Sequence, residues 1–418
     1  MVPSPLLLLL LLLLGLPATD GGKKGQHPSQ APSSLSSVVD SSSSASSAPV
    51  ITTSRVFAHV HSLGLGHGAA NATTPTSAAA GSTEWLKKLR WIPQRDIKIV
   101  RFVDSGRFSN VFEATLNGSD ADADIDDGTV YWAGAPTRAI LKVLKHTFPG
   151  KVKREVRILE MLRDAPGIVR LLGASKNSAC HPKTISLLFE HLPGIQWLSH
   201  LHLQLPGSAP PEPWTLGEIR LFCYKLLRAL LECHRRGIMH RDVKPRNIIC
   251  QRHSRELRLI DFGLSELYVP RGKYNPSVAS RHYKCPELLV DYHYYDYGVD
   301  IWAAGCILAG LVFDCEPFFY GADVPDQVHA VASVVGSQTL LDWAKLYKIK
   351  LTAAMRRAIG KHPAVPLQSF VTPRNAALCP PEALDLLSRM LCVDHQQRAT
   401  AEDCLAHPFF DLVRGPPM

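Results

Sequence analysis

Residues 240–247 read His240-Arg241-Asp242-Val243-Lys244-Pro245-Arg246-Asn247, and the fold prediction starts from them. Phosphoryl transfer requires little covalent chemistry from a protein, but it requires a positioned acceptor hydroxyl and charges beside the phosphates. Asp242 is placed to accept the proton of such a hydroxyl, and Lys244 can neutralise the transferring phosphate. Asn247 supplies a neutral oxygen for a magnesium ion. This stretch therefore predicts catalysis centred on Asp242.

Two further motifs stand on either side of this stretch, in the order that the same chemistry requires. Downstream, a strand-like run at residues 257–260 leads into an Asp-Phe-Gly triplet whose Asp261 would be the second magnesium ligand. Upstream, the strand-like residues 139–142 end on Lys142, which would hold the α- and β-phosphates, and Glu155 on an amphipathic helix would pair with it. Each motif alone is common. Together, in this order, they predict a protein kinase.

The loop expected to cover the phosphates departs from the kinase pattern. Three glycines normally let backbone amides approach the phosphates there. Residues 104–111 keep only Gly106, and Asp104 stands at the first glycine position. Because Asp104 places an anion near the phosphate site, an alternative function stays open: a pseudokinase or regulatory binding module with weakened nucleotide binding.

The pattern of apolar residues predicts an α+β, bilobal protein kinase fold over residues 97–412. A small β-rich N-lobe is expected at about 97–190, with one helix at residues 151–162. A larger α-helical C-lobe is expected at about 193–412. Its first long helix would begin at a capping box formed by Thr215 and Glu218 and would end at Gly237.

Composition narrows the partners and the chemistry. The net charge of +9 favours an acidic partner or substrate, and no nucleic-acid motif accompanies it. The ten cysteines lie between Cys180 and Cys404 and form no CxxC pair. They are therefore predicted to be buried free thiols rather than metal ligands or disulfides.

The N-terminal region has the composition of a targeting leader. Residues 1–20 contain an unbroken leucine run that is too short to span a bilayer and is typical of a signal peptide, so no transmembrane helix is expected after its cleavage. Residues 21–83 are rich in Ser and Ala, with Asp40 as their only acid, and are predicted to be a disordered leader or linker. Three destinations stay open: the secretory pathway, a secondary plastid, and the cytoplasm or nucleus.

From residue 97 to about residue 413 the chain resembles the catalytic α subunit of casein kinase 2, a kinase of the cyclin-dependent/MAP kinase group. The most specific stretch is Val278-Ala279-Ser280-Arg281-His282-Tyr283-Lys284-Cys285-Pro286-Glu287-Leu288-Leu289-Val290-Asp291-Tyr292. The resemblance implies a constitutively active serine/threonine kinase that uses ATP, or GTP as an alternative donor, with Mg²⁺. Its substrates would be acidic proteins.

The resemblance also implies which residues bind substrate and nucleotide. Arg281 and Lys284 would face an acid next to the acceptor, and Lys151, Lys153 and Arg154 would face an acid further downstream. A solvated basic helix face is the alternative interpretation of the last three. Glu287 is expected to be structural, pairing with Arg398. The residues implied to bind the nucleotide, beside Lys142, are Gly106, Val111, Ile140, Phe189, Glu190, Leu192, Ile249 and Ile260.

The implied partner is a regulatory β subunit in a heterotetramer. Four apolar residues match the positions where the β subunit docks in the family: Ile99, Phe112, Leu141 and Leu188. Local packing is an equally good explanation for these four residues.

Several departures from the family affect other properties. Ser277 replaces an arginine of the substrate loop, and the stabilising N-terminal segment is shortened to about residues 84–95. An insertion after the second strand places Ser119 before acids, which predicts autophosphorylation there.

Overall fold

A computed structural model describes residues 54–56, 89–106, 108–117, 137–145, 149–177, 184–193, 196–197, 213–251 and 255–414. The predicted signal peptide, most of the predicted leader and the insertion containing Ser119 lie outside the described residues. The described part has a β-rich N-lobe followed by a helical C-lobe. This arrangement confirms the predicted α+β, bilobal fold.

The N-lobe is built on an antiparallel five-stranded sheet with the strand order β1-β2-β3-β5-β4. One helix, α1, lies between β3 and β4 in the chain and matches the helix predicted at residues 151–162. The bounds are β1 Ile97–Ser105, β2 Ser109–Leu116, β3 Thr137–Leu144, α1 Pro149–Met161, β4 Leu171–Asn177 and β5 Thr184–Glu190.

The two faces of this sheet contribute to two separate apolar clusters. Val152, Val156 and Leu159 of α1 belong to the main core, whereas Leu141 and Leu188 belong to a small cluster of their own. Successive side chains of a strand point to opposite faces, so Leu141 faces away from Lys142. Leu141 and Leu188 are buried, which favours local packing over docking at these two positions. Of the four predicted docking residues, Ile99 is exposed.

The C-lobe is organised around two long helices, α2 and α4. The capping box predicted at the start of α2 is present, since the Thr215 side chain accepts from the Glu218 amide and the Glu218 side chain accepts from the Thr215 amide. The helix ends before Gly237, whose φ of +76° is readily adopted by glycine, as predicted. The bounds are β6 Gln196–Trp197, α2 Leu216–Arg235, β7 Ile238–Met239, β8 Ile248–Gln251, β9 Glu256–Leu259, β10 Glu266–Leu267, α3 Pro286–Leu289, α4 Gly298–Phe313, α5 Val324–Val335, α6 Ser337–Leu346, α7 Ala353–Ile359, α8 Pro381–Met390 and α9 Ala401–Leu405.

The C-lobe has a large buried core, and most of the described cysteines are buried. Helix α4 is buried along nearly its whole length, as expected of a helix that is apolar on all sides. Nine cysteines lie in the described residues; all nine are free and seven are buried, which confirms the prediction of buried thiols at those seven positions. No helix within the described ranges is both long and apolar enough to cross a membrane.

Three residues of the predicted leader contact the C-lobe. The backbone amide of Ser54 donates to the Tyr268 hydroxyl over 2.7 Å, and the Arg55 guanidinium donates to the Arg398 carbonyl over 2.6 Å. Ser54 is buried. The N-terminal contacts of the C-lobe therefore include residues 54–56, which lie before the segment at residues 84–95.

Candidate active site

The predicted ion pair between Lys142 and Glu155 is formed. Lys142 on β3 places its Nζ 2.6 Å from Oε1 of Glu155, which α1 presents from its buried face. The same Nζ lies 2.8 Å from Oδ1 of Asp261. One ammonium group thus joins the sheet, the helix and the Asp-Phe-Gly triplet.

The electrostatics of this cluster keep its groups charged. Burial alone would lower the pKa of Lys142, but the carboxylates of Glu155 and Asp261 outweigh burial and hold that pKa above its ordinary value. Burial acts in the opposite direction on Asp261, where the neighbouring Lys142 charge prevails and lowers the pKa to about 2. Asp261 is therefore an anion at neutral pH and is suited to hold a cation.

The backbone of the Asp-Phe-Gly triplet is shaped to expose that carboxylate. Asp261 has a φ of 64°, a left-handed conformation that Asp tolerates better than most residues. A side chain on Gly263 would lie 3.3 Å from Oδ1 of Asp261 and 3.5 Å from Oε2 of Glu155. Glycine at this position therefore leaves room for both carboxylates.

The side chains of the catalytic loop, defined as residues 240–247, converge on Asp242. Lys244 Nζ lies 2.8 Å from Oδ2 of Asp242. The Asn247 side-chain nitrogen donates to the Asp242 carbonyl at 2.8 Å and to its Oδ2 at 3.0 Å, which leaves the Asn247 amide oxygen as the atom that could hold a metal ion. The three predicted residues of this loop therefore lie together.

Ser280 completes this arrangement, and its role was not predicted from the sequence. Its hydroxyl donates to Oδ1 of Asp242 at 3.0 Å and accepts from Lys244 Nζ at 2.8 Å. The hydroxyl thereby fixes the Asp242 carboxylate and the Lys244 ammonium relative to each other. The signal available was its place in the family-specific stretch, directly before Arg281.

Asp300 supports the catalytic loop from beneath and was also missed. Its carboxylate accepts from the backbone amides of His240 and Arg241, each at 2.8 Å, and lies 3.0 Å from Nε2 of His234. Burial would raise the pKa of Asp300, but the His234 contact and the amide bonds lower it. A buried, hydrogen-bonded carboxylate thus fixes the loop backbone just before Asp242.

The predicted nucleotide-binding residues are positioned mainly by strand register. Val111 on β2 is paired with Lys142, and Ile140 precedes Lys142 by two residues on the same face of β3. Glu190 differs from the rest, because its carboxylate accepts from the Arg170 amide at 3.0 Å and from Arg258 Nε at 3.2 Å. The other half-buried members of the predicted set are Leu192, Ile249 and Ile260, and Phe189 is buried.

The described residues of the phosphate-covering loop, 104–106 and 108–110, are held by side chains. Lys145 Nζ donates to Ser105 Oγ at 3.0 Å and to the Gly106 carbonyl at 2.9 Å. Asp104 at the first glycine position forms an ion pair with Arg246 at 3.2 Å. Its carboxylate is therefore not an unpaired anion above the cleft. Arg107 lies outside the described residues.

The predicted substrate-binding residues do not share one environment. Lys284 donates to the backbone carbonyl of Val278 at 2.6 Å, and burial lowers its pKa. Arg281 donates to the carbonyl groups of residues 321 and 322. Arg154 forms an ion pair with Glu266.

The remaining predictions of this group concern the lysines of α1 and the pair formed by Glu287 and Arg398. Lys151 Nζ lies 5.6 Å from the centre of the Phe108 ring, and Lys153 is half-buried on α1. The Glu287–Arg398 pair is confirmed: it is bidentate, with distances of 2.8 and 2.9 Å, and both side chains are fully buried.

The donor set suits magnesium better than a self-contained metal centre. Within the described ranges, no three His, Cys, Asp or Glu side chains are grouped to hold a metal ion. Asn247 and Asp261 offer one amide and one carboxylate oxygen. Magnesium is commonly bound by one or two carboxylates together with substrate phosphates. These residues therefore fit a metal that arrives with a nucleotide.

The fold and the site together define a phosphotransferase of the kinase class. A family model described as protein kinase domain matches residues 138–410, which is more than half of the chain. The chain belongs to the protein kinase family.

Proposed function

We propose that the protein is a serine/threonine kinase of the casein kinase 2 α type, which transfers the γ-phosphate of ATP to hydroxyls near acidic residues. The observation that carries the proposal is the triangle of Asp242, Lys244 and Ser280, with 2.8 to 3.0 Å between their polar atoms. Asp242 orients the acceptor hydroxyl and receives its proton, while Lys244 compensates the charge that develops on the transferring phosphate.

The remaining residues hold the phosphate donor. Lys142, fixed by Glu155, binds the α- and β-phosphates. Asp261 and Asn247 would hold Mg²⁺, which neutralises charge between the phosphates when it is bound. The low pKa of Asp261, about 2, keeps this ligand ionised over the whole working pH range.

The preference for acidic substrates is supported chiefly by Arg281. Its described hydrogen bonds go to neutral carbonyl groups, so its positive charge is not cancelled by them. Lys284 contributes less, because its side chain is half-buried whereas that of Arg281 is exposed. Arg154 also contributes less, because Glu266 neutralises it. We expect Lys151 and Lys153 to add a weaker preference further along the substrate.

The pseudokinase alternative depends mainly on the negative charge of Asp104, and the structure weakens that support. Unpaired, this carboxylate would repel the phosphates, but Arg246 lies 3.2 Å away and compensates its charge. The Lys142–Glu155 pair is also formed. Both observations favour a site that binds nucleotide.

Phosphate transfer to matched peptides tests the proposal. We expect transfer to a serine peptide with acids one and three residues after the acceptor, and much weaker transfer when these acids become amides or the acceptor becomes tyrosine. Asp242→Asn should abolish transfer, and Arg281→Ala should reduce the advantage of the acid directly after the acceptor. GTP is offered in place of ATP in parallel. Wild-type protein that transfers no phosphate to any of these peptides would overturn the proposal.

Two further proposals concern a partner, which the resemblance implies, and the destination, which the composition of the N-terminal region implies. A regulatory β subunit could use the N-lobe surface around Ile99, where Val100 and Phe102 are also exposed. Binding of a purified β subunit, with Ile99→Asp as the negative variant, tests this. For the destination, we propose import through the N-terminal leader. Imaging residues 1–83 fused to a fluorescent reporter distinguishes the secretory pathway, a plastid and the cytoplasm or nucleus.

A further inference from the structure

The ion pair between Asp104 and Arg246 connects the two lobes across the cleft. We propose that this pair is a positioning device for the phosphate donor: it holds the phosphate-covering loop closed over the nucleotide and so slows nucleotide release. The proposal extends the proposed kinase function, since the held ligand is the nucleotide. Neither residue has a predicted role in the transfer itself.

The pair joins a loop of one lobe to a fixed point on the other. Both carboxylate oxygens of Asp104 lie within reach of one Arg246 nitrogen, at 3.3 and 3.2 Å. Arg246 belongs to a short helical turn, Pro245–Asn247, whose other two residues are buried. Asn247 is in turn bonded to Asp242. Arg246 therefore extends from a rigid base, and its guanidinium is the part that reaches across.

The loop itself is fastened to its own lobe by polar side chains. Ser105 Oγ donates to the Asn110 side chain at 2.8 Å, and Lys145 donates to Ser105 and to the Gly106 carbonyl. An irregularity in the pairing of β1 with β2 lies between Phe102 and Asp104. In other kinases, glycines give this loop conformational freedom. In this protein, side-chain hydrogen bonds restrain the loop instead. With the loop fastened on one side, the Asp104–Arg246 contact decides how closely it lies to the C-lobe.

The magnitude and salt dependence of the effect follow from exposure. The Arg246 side chain is 64% exposed and that of Asp104 is 34% exposed. Exposed ion pairs change an equilibrium constant by roughly fivefold at most, and salt screens them. Opening the cleft requires breaking the pair, so nucleotide dissociation should be slowest at low ionic strength.

Dissociation of a fluorescent ADP analogue from the full chain, measured by stopped flow with Mg²⁺, tests the proposal. We expect Asp104→Asn and Arg246→Gln each to speed dissociation by roughly two- to fivefold at low salt and to have almost no effect at high salt. The double variant should be no faster than either single variant, and the exchanged pair, Asp104→Arg with Arg246→Asp, should restore slow release. As the control, Glu160→Gln removes the ion pair between Glu160 of α1 and Arg163, which follows that helix, and should change nothing.

The alternatives predict different signs and different additivity. If Asp104 acts by repelling phosphates, Asp104→Asn slows dissociation, and the proposal is wrong. If Arg246 contacts the phosphates directly, its effect is the same with or without Asp104, and the proposal is also wrong. A wild-type protein that binds the analogue with this salt dependence but transfers no phosphate would instead overturn the proposed kinase function and leave the ion-pair proposal standing.

Discussion

The catalytic loop and the phosphate-covering loop border the same cleft, but they are held by opposite kinds of contact. Asp300 supports the catalytic loop with buried hydrogen bonds to His240 and Arg241. The phosphate-covering loop is held by exposed bonds from Lys145 and Arg246. In the proposed function, the first loop keeps a carboxylate in place, whereas the second opens for each nucleotide. The kind of contact matches the mobility that each task requires.

The energetic difference between the two kinds of contact is large. Removing one partner of a buried polar network leaves groups without hydrogen bonds and costs about 1 to 3 kcal/mol for each such group. An exposed ion pair contributes only about 0.2 to 1 kcal/mol. Substitution of the buried Asp300, which supports the catalytic loop, should therefore affect stability and turnover together. Substitutions around the phosphate-covering loop should affect mainly nucleotide binding.

The largest effect is expected for Asp300→Ala. The change leaves the buried amides of His240 and Arg241 without their acceptor, and we expect a loss of about 3 kcal/mol in the free energy of unfolding. Turnover should fall by more than about a hundredfold, because Asp242 follows Arg241 directly in the chain and would be displaced with it. Urea unfolding and peptide phosphorylation measure the two effects. Asp342→Ala, on the exposed face of α6, is the matched control, and a wild-type unfolding midpoint for Asp300→Ala would contradict the comparison.

Ser280→Ala should have the next largest effect, on turnover alone. The change removes the hydroxyl that bridges Asp242 and Lys244 but keeps their direct contact of 2.8 Å. Loss of the two hydrogen bonds of this hydroxyl corresponds to a roughly ten- to thirtyfold fall in kcat, with KM for ATP unchanged.

Two further variants show whether the Ser280 hydroxyl itself is responsible. Ser280→Thr, which keeps a hydroxyl, should recover most of the activity. Ser277→Ala, an exposed serine of the same segment, should behave as wild type. A fall in KM together with kcat for Ser280→Ala would instead indicate a role in nucleotide binding.

The effect of pH on stability should distinguish Asp300 from exposed carboxylates. Because its folded-state pKa is lowered, Asp300 stabilises the fold above its unfolded pKa of about 3.9, and this contribution is lost as pH falls through the folded pKa. We expect wild type to exceed Asp300→Asn in unfolding free energy at pH 7, with the difference shrinking below about pH 4. Urea midpoints between pH 3 and 7 check this. A difference that stays constant down to pH 3 would mean that the charge of Asp300 is not what stabilises the loop.

The sequence predicts the contacts within the catalytic loop but not the contact between the phosphate-covering loop and the C-lobe. Asp242, Lys244 and Asn247 are neighbours in one short loop, so their spacing alone predicts that they lie together. Asp104 and Arg246 are 142 residues apart, and no local pattern indicates that a replaced glycine position would meet an arginine.

The supporting contacts were missed for the same reason. The contact of Asp300 with Arg241 spans 59 residues, and that of Ser54 with Tyr268 spans 214. Leu141 shows a second limit, since an apolar residue of a strand is read equally well as a docking residue or a packed one. Whether Leu141 is covered depends on Leu188 of another strand. Local spacing was therefore sufficient for the groups that do chemistry and insufficient for those that hold them.

The smallest effect is expected for Lys145→Met, which removes two exposed hydrogen bonds from the phosphate-covering loop. The bonds between Ser105 and Asn110 and between the amide of Gly106 and the carbonyl of Ser109 remain, so the loop should keep its shape. KM for ATP should rise about twofold at low salt, with kcat and the unfolding midpoint unchanged. Steady-state kinetics at two ionic strengths measure this. A rise of tenfold or more, or a loss of stability, would mean that this loop is anchored as firmly as the catalytic loop. The two loops would then not differ in the way that their exposure indicates.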